Sequence, residues 1–216
     1  MRNIAAIAWK ETKAYAFSPM AFVIASVFLA FTGVVFVLSI STPFPEASVR
    51  GYISPAAFFL IILSPVITMR LLAEEQKLGT LELLLTAPVR DFEVVLGKYV
   101  ASLLIIVGTI ALTFFYVLLL YWFGDPDTGT LLSSYLGLIL YAAATLAIGL
   151  FASSLTGNQI VSAVVAIGAI VILSFIHQVG SLVTGWYSLV LVQLSLNTHF
   201  DDFYRGVIDS GNVIYY

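Results

Sequence analysis

Charge is scarce in this chain. Of its 216 residues only 10% are Asp, Glu, Lys or Arg, against 61% that are hydrophobic, and the mean hydropathy is +1.05. A soluble domain carries about 25% charged and 45–50% apolar residues. The surplus exceeds what one aqueous core can enclose, so lipid is the solvent for most of it. A net charge of −3 gives no basis for a nucleic-acid partner. Cysteine is absent, which excludes disulfides and thiolate metal sites. The two histidines, His177 and His199, are isolated and lack an H-E-x-x-H context, so no metal site is expected. There is no G-x-x-x-x-G-K-[ST] loop, so no ATP binding by that device, no catalytic residue and no cofactor is expected in this chain. No Asp, Glu, Lys or Arg falls mid-span, which weighs against an ion-coupled carrier. An intramembrane protease lacks a Ser/His or Asp pair at depth.

What is present is a series of long apolar runs. Roughly 20 such residues cross about 30 Å of hydrocarbon. Residues 20–40, 53–73, 99–123, 133–153 and 159–176 qualify, predicting an all-α polytopic membrane bundle with five spans. Four of these carry no charge; the second contains Arg70, which can snorkel to a headgroup. Pro65 is internal to the second span and predicts a kink there. Seven of the nine basic residues (Arg2, Lys10, Lys13, Arg70, Lys77, Arg90, Lys98) flank the first span on one side or join the second to the third. The positive-inside rule places both regions, and the N-terminus, in the cytoplasm of a cell whose inner membrane the chain crosses. The segment before the first span is too long and too polar for a signal peptide and reads as retained. Beyond the fifth span, residues 182–196 are short for a crossing and fit a re-entrant or interfacial helix on the outer side, within an outer tail covering 177–216. Asp201, Asp202 and Asp209 there read as a solvated acidic loop. Small residues such as Gly137, Gly149 and Gly168 permit close helix packing.

Two non-spanning segments remain. Residues 1–18 can form an amphipathic helix in the cytoplasmic interface, with Trp9 and Tyr15 at headgroup depth beside Lys10 and Lys13, ended by Ser18-Pro19. Residues 74–98, EEQKLGTLELLLTAPVRDFEVVLGK, form the one charged stretch of any length. Gly79 breaks the helix leaving the membrane, Thr80 can cap a short helix with Leu81, Leu84 and Leu85 on one face, and Pro88 ends it. Asp91 is a natural cap for the helix that follows. The plain alternative is a solvated loop, but the double punctuation by Gly79 and Pro88 favours a rigid docking element for a protein groove.

The order Glu75-x-x-x-Gly79-Thr80-Leu81-Glu82-Leu83-Leu84-Leu85-Thr86-Ala87-Pro88-Val89, followed by Glu93-Val94-Val95-Leu96-Gly97-Lys98, resembles the signature of ABC type 2 permeases. It is similar to the gliding-motility-associated and nitrous-oxide-reductase maturation permeases, and the layout agrees along the whole chain. The resemblance implies a type V exporter-like permease subunit, paired as a homodimer or heterodimer with a second permease copy or a related one. It also implies a cytoplasmic ABC ATPase partner that holds ATP and Mg. Glu74, Glu75, Gly79, Thr80, Leu81, Glu82, Leu84, Leu85, Pro88 and Val89 would then form the coupling elbow docked on that ATPase. The family has six spans. Here five are visible, so either the sequence stops before the sixth, with Val213 to Tyr216 reading as its threshold, or the chain is a five-span variant. A non-transporting scaffold for a motility or maturation complex, and a secondary transporter, are the competing functions.

Overall fold

A computed structural model describes residues 2–41, 48–79, 90–182 and 185–216. Among these residues every regular element is a helix: α1 Arg2–Ala16, α2 Pro19–Ile40, α3 Arg50–Thr68, α4 Ala73–Leu78, α5 Asp91–Leu112, α6 Phe114–Phe123, α7 Thr128–Ser154, α8 Gln159–Leu182, α9 Trp186–Gln193, α10 Leu196–Tyr204 and α11 Ser210–Tyr215. Five stretches are long and apolar enough to cross a membrane: Pro19–Ile40, Arg50–Leu78, Asp91–Trp122, Thr128–Ser154 and Gln159–Leu182. The chain is an all-α polytopic membrane bundle.

α3 and α7 form its centre and pack against each other. α2 lies on the far side of α3, α8 beside α7, and α5 against α7 and α2. The contacts depend on missing side chains. A Cβ at Gly149 would stand 2.1 Å from Thr68 Oγ1, and one at Gly137 would stand 2.5 Å from Phe203 Cβ on α10. In hydrocarbon no water satisfies a stray polar group, so each must find its partner inside the protein. Ser64 Oγ on α3 meets Thr145 Oγ1 on α7 at 2.8 Å. Tyr52 and Tyr135 share a hydroxyl contact at 3.0 Å, extended to Thr113 at 2.9 Å. Tyr141 on α7 reaches Ser174 on α8 at 3.0 Å. Every one of these is a hydroxyl pair, each holding two helices at a fixed height.

Local chemistry explains the breaks. Ser18 caps α2, its Oγ accepting from Ala21 N at 3.4 Å with Pro19 in the first helical position. The third span is interrupted at Thr113, whose hydroxyl donates back to Ile110 O at 2.6 Å. Pro65 does not end α3, which runs on to Thr68; the interruption falls at residues 69–72, and α4 restarts the helix.

The fifth span corrects the expected end at residue 176. α8 continues six residues further to Leu182, with His177 inside it. The polar ring does not stop the helix because Ser174 O and Ser195 Oγ meet its Nδ1 at 3.1 and 3.0 Å. The chain then folds back. α9 packs on α8 at Gly180, where a Cβ would stand 3.2 Å from Leu191 Cβ. α10 turns outward again along α7, from Asn197 near Tyr141 to Phe203, whose carbonyl accepts from Ser133 Oγ at 2.7 Å. At about 1.5 Å per residue, the contact at Tyr141 lies some 20 Å along α7 from its start. The α9–α10 pair therefore dips well into the bundle and returns to the end it left. Arg50, at the start of α3, donates to the carbonyls of Tyr204 and Arg205, both at 3.1 Å, and so caps the C-terminus of α10. Asp202 is half-buried and accepts from Asn212, while Asp209 is exposed, as expected, and caps Gly211.

Replacing Gly137 or Gly149 by alanine forces a methyl into occupied space and should cost about 1–3 kcal/mol. Gly168→Ala, whose Cβ meets nothing within 4 Å, should leave stability unchanged. Thermal unfolding of the purified protein in nanodiscs should show two lowered midpoints and one unaltered.

Candidate functional site

Helices α1, α4 and α5 meet at the end of the bundle opposite the α9–α10 hairpin. α1 lies along α5, and Gly97 allows the approach: a Cβ there would stand 2.6 Å from Ile7 Cγ2. The next residue, Lys98, is 3% exposed. Its Nζ lies 2.8 Å from Glu75 Oε1 on α4 and 3.5 Å from Glu11 Oε1 on α1. An ammonium taken out of water must be matched by opposite charge. Here it is matched by two carboxylates, each on a different helix, so the one lysine joins three elements.

Other contacts fasten the same elements. Glu93 Oε2 accepts from Arg90 N at 3.1 Å, closing the start of α5, and from Asn3 Nδ2 at 3.1 Å, binding the start of α1 to it. Tyr15 donates to Ile67 O at 3.2 Å, and burial pushes its phenol up from the usual range. Arg70 pairs with Glu74 at 2.9 Å and points Nη1 at Met20 Sδ, 3.1 Å away. Ser153 Oγ, at the end of α7, accepts from Leu72 N and Ala73 N at 3.1 and 3.0 Å, satisfying the first donors of α4. Gln76 Nε2 donates to Ser154 O at 2.9 Å. Glu11, Tyr15, Arg70, Glu74 and Glu75 border an open cleft of about 270 Å³ with Lys98 at its back.

Gly79 ends α4 in the left-handed conformation, φ 68°, its N–H bonded to Gln76 O. The chain thus leaves this group at Gly79 and re-enters it at Arg90. Thr80, Leu81, Glu82, Leu84, Leu85, Pro88 and Val89, with the short helix expected of them, lie outside the described residues. Of the remaining expected site residues, Glu75 sits at the ion triad and Glu74 beside it. The cap of α5 is Arg90, not Asp91, which is the first helical residue: Glu93 reaches back to the Arg90 N–H and fixes the turn one position earlier. On α1, Lys10 and Trp9 face away from the bundle, Trp9 is 61% exposed, and Lys13 Nζ lies 4.8 Å over its ring. The Tyr15 hydroxyl turns inward to the Ile67 carbonyl beside the α3 break.

Sequence reasoning missed Lys98, Glu11 and Ser153. Lys98 carried a signal: a lone cation directly after glycine, at the threshold of an uncharged run, has nowhere to be solvated except against its own protein. Glu11 and Ser153 carried none, since their roles arise from contacts 87 and 81 residues away in sequence.

This arrangement defines a multi-pass helical membrane protein in which α1, α4 and α5 are joined by one charged knot. The family of ABC-2 family transporter proteins matches residues 41–193, and the chain belongs to that family. Over 145 residues it is 29% identical to the probable multidrug ABC transporter permease YbhS of Escherichia coli (strain K12), covering 64% of this chain and 38% of that protein. The protein of the same name from Escherichia coli O157:H7 gives the same figures. The chain spans 38% of the length of these curated relatives.

Removing the ammonium, as in Lys98→Met, leaves two carboxylates facing each other at a poorly hydrated site. Breaking a buried pair costs about 3–5 kcal/mol, an upper figure here because the two carboxylates keep 19% and 23% side-chain exposure. Thermal unfolding should show the loss, and the exchange Lys98→Glu with Glu75→Lys should recover part of it.

Proposed function

We propose that this chain is the membrane-spanning permease subunit of an ABC transporter, moving a substrate across the cytoplasmic membrane with ATP hydrolysed by a separate ABC ATPase. It pairs with a second permease copy or a related permease. The observation that carries the reading is the Lys98–Glu75–Glu11 knot, which ties α4, ending at Leu78, to α5, starting at Asp91, on the two sides of residues 80–89. A push on that segment from outside the membrane is delivered to α1, α4 and α5 together, and through Ser153 to the end of α7. The sequence between Gly79 and Arg90 is leucine-rich, with Leu81, Leu84 and Leu85, and such apolar residues suit a groove on the ATPase. Family membership supports the same partner.

The knot end carries Lys10, Lys13, Arg70, Lys77, Arg90 and Lys98, which supports its lying in the cytoplasm with the N-terminus. The α9–α10 hairpin then belongs to the outer leaflet. Away from the charged groups at the knot end and from His177 and Gln178 in α8, the polar side chains in the middle of the spans are hydroxyls, and a relative is named a probable multidrug permease. Both favour an apolar or amphiphilic cargo over a small ion.

The test is co-purification with an ABC ATPase and measurement of its activity in proteoliposomes. Leu84→Asp and Leu85→Asp should reduce the recovered ATPase at least about tenfold, the equivalent of ~1.4 kcal/mol, and abolish ATP-driven transport. Normal assembly and normal coupled hydrolysis in both variants would overturn the docking role. Flux driven by an ion gradient without any ATPase would favour a secondary transporter, and stable association without ATP-dependent transport would favour a scaffold.

A further inference from the structure

At the opposite end of the bundle, α11 is tied to the α9–α10 hairpin through one polar cluster. His199 on α10 places Nδ1 2.6 Å from Asn212 Oδ1 on α11, and Nε2 2.9 Å from the Gln193 carbonyl at the end of α9. The other half of the same amide, Asn212 Nδ2, donates to Asp202 Oδ2 at 2.7 Å. Asn212 is 6% exposed. The imidazole stacks on Tyr215 with ring centres 4.0 Å apart, and the Tyr215 hydroxyl donates to Leu194 O at 2.8 Å.

Counting protons in this chain of contacts gives a definite result. A neutral imidazole has one donor and one acceptor nitrogen. The Gln193 carbonyl can only accept, so Nε2 must donate. Nδ1 of a neutral ring is then an acceptor, and it faces the Asn212 oxygen, another acceptor. Reversing the amide does not help. It brings the NH2 group to Nδ1 but sets the oxygen against the Asp202 carboxylate, moving the clash one bond along. Either His199 carries a second proton or Asp202 carries one. In both cases the cluster holds one proton more than a carboxylate and a neutral ring supply together. With that proton it is neutral overall and every contact is a hydrogen bond. Without it, the cluster bears a negative charge and two acceptors are pressed together.

We propose that His199, Asn212 and Asp202 form a proton-dependent latch that fastens α11 to the α9–α10 hairpin, closed when this extra proton is present and loosened when it leaves. The charged and titratable groups around it are few. α9 offers only the Gln193 carbonyl and the phenol of Tyr187, and no acidic or basic side chain. α10 supplies Asp201, Asp202 and Tyr204, followed by Arg205. α11 supplies Tyr215, with Asp209 before it engaged as the helix cap. His177 on α8 interacts electrostatically with Asp201, and Arg50 on α3 is bound to backbone carbonyls. Arg205 interacts electrostatically with Asp202, but no ion pair among the described residues joins a cation to Asp202 in place of the proton. The sign follows: the closed form binds one proton more than the open form, so acid favours it and it is lost as pH rises. In the topology proposed above, this end faces the exterior and the latch reads external pH. That last step rests on the proposed orientation, whereas the latch itself does not.

The native chain has no cysteine, so two can be introduced cleanly. Leu189→Cys on α9 and Ile214→Cys on α11, 69% and 84% exposed, are spin-labelled in the full chain in nanodiscs, and the distance distribution is measured at about pH 5.5 and about pH 8.5. The short, narrow distance should dominate at the lower pH and fall about fivefold at the higher one. His199→Phe keeps the stacked ring but cannot bond, and should give the broad distribution at both pH values. Asp202→Asn supplies an amide that satisfies Asn212 without a proton, and should give the narrow distribution at both. A native distribution unchanged between the two pH values would overturn the proposal. So would pH dependence that survives in either variant. The spin-label distances do not depend on the ATPase, so failure here leaves the permease reading untouched.

Discussion

Lipid donates and accepts no hydrogen bonds, and that constraint organises this molecule more than any single contact. A hydroxyl on a spanning helix can turn back to its own carbonyls, as Thr32 and Thr109 do, or meet another helix at the same depth, and the groups that meet across helices become height markers. Ser64 with Thr145, Tyr52 with Tyr135 and Thr113, and Tyr141 with Ser174 fix α3, α5, α7 and α8 in register. Each pair is worth only about 0.6 kcal/mol. Their effect is on register more than on stability, because slipping a helix by one residue would strand both hydroxyls.

The same constraint becomes stringent where the polar group is charged. Lys98 is the one buried cation among the described residues, and its two carboxylates come from α1 and α4. An apolar replacement could hold three helices together equally well. What an ion triad adds is directional dependence: displacing any one helix unpairs a charge. A joint of this kind transmits movement between elements more sharply than a greasy contact does. Its position, at the root of the segment between Gly79 and Arg90, suits a bundle worked from outside the membrane.

The spans were readable because twenty uncharged apolar residues have only one stable environment, and the basic residues sorted by side. Ser18-Pro19 and Gly79 were readable for local reasons, a proline start and a left-handed glycine. What could not be read depended on distant partners. α8 passes through His177 because Ser195 returns to meet the ring, and α5 starts at Arg90 because Glu93 reaches back. The Tyr15 hydroxyl turns inward to the Ile67 carbonyl beside the break after Thr68. The ion triad was not read from the sequence: Lys98, a cation after a glycine at the edge of lipid, carried a signal that went unused, while its partners Glu75 and Glu11 were two among several acids.

The central claim is that movement enters through the knot, and the ratio of substrate transported to ATP hydrolysed tests it most directly. Glu75→Gln keeps the shape of the side chain and removes one charge from the triad. In proteoliposomes containing the permease and its ATPase, the account predicts that hydrolysis continues while transport per ATP falls severalfold. A ratio equal to that of the native complex, in a variant that assembles normally, would contradict it.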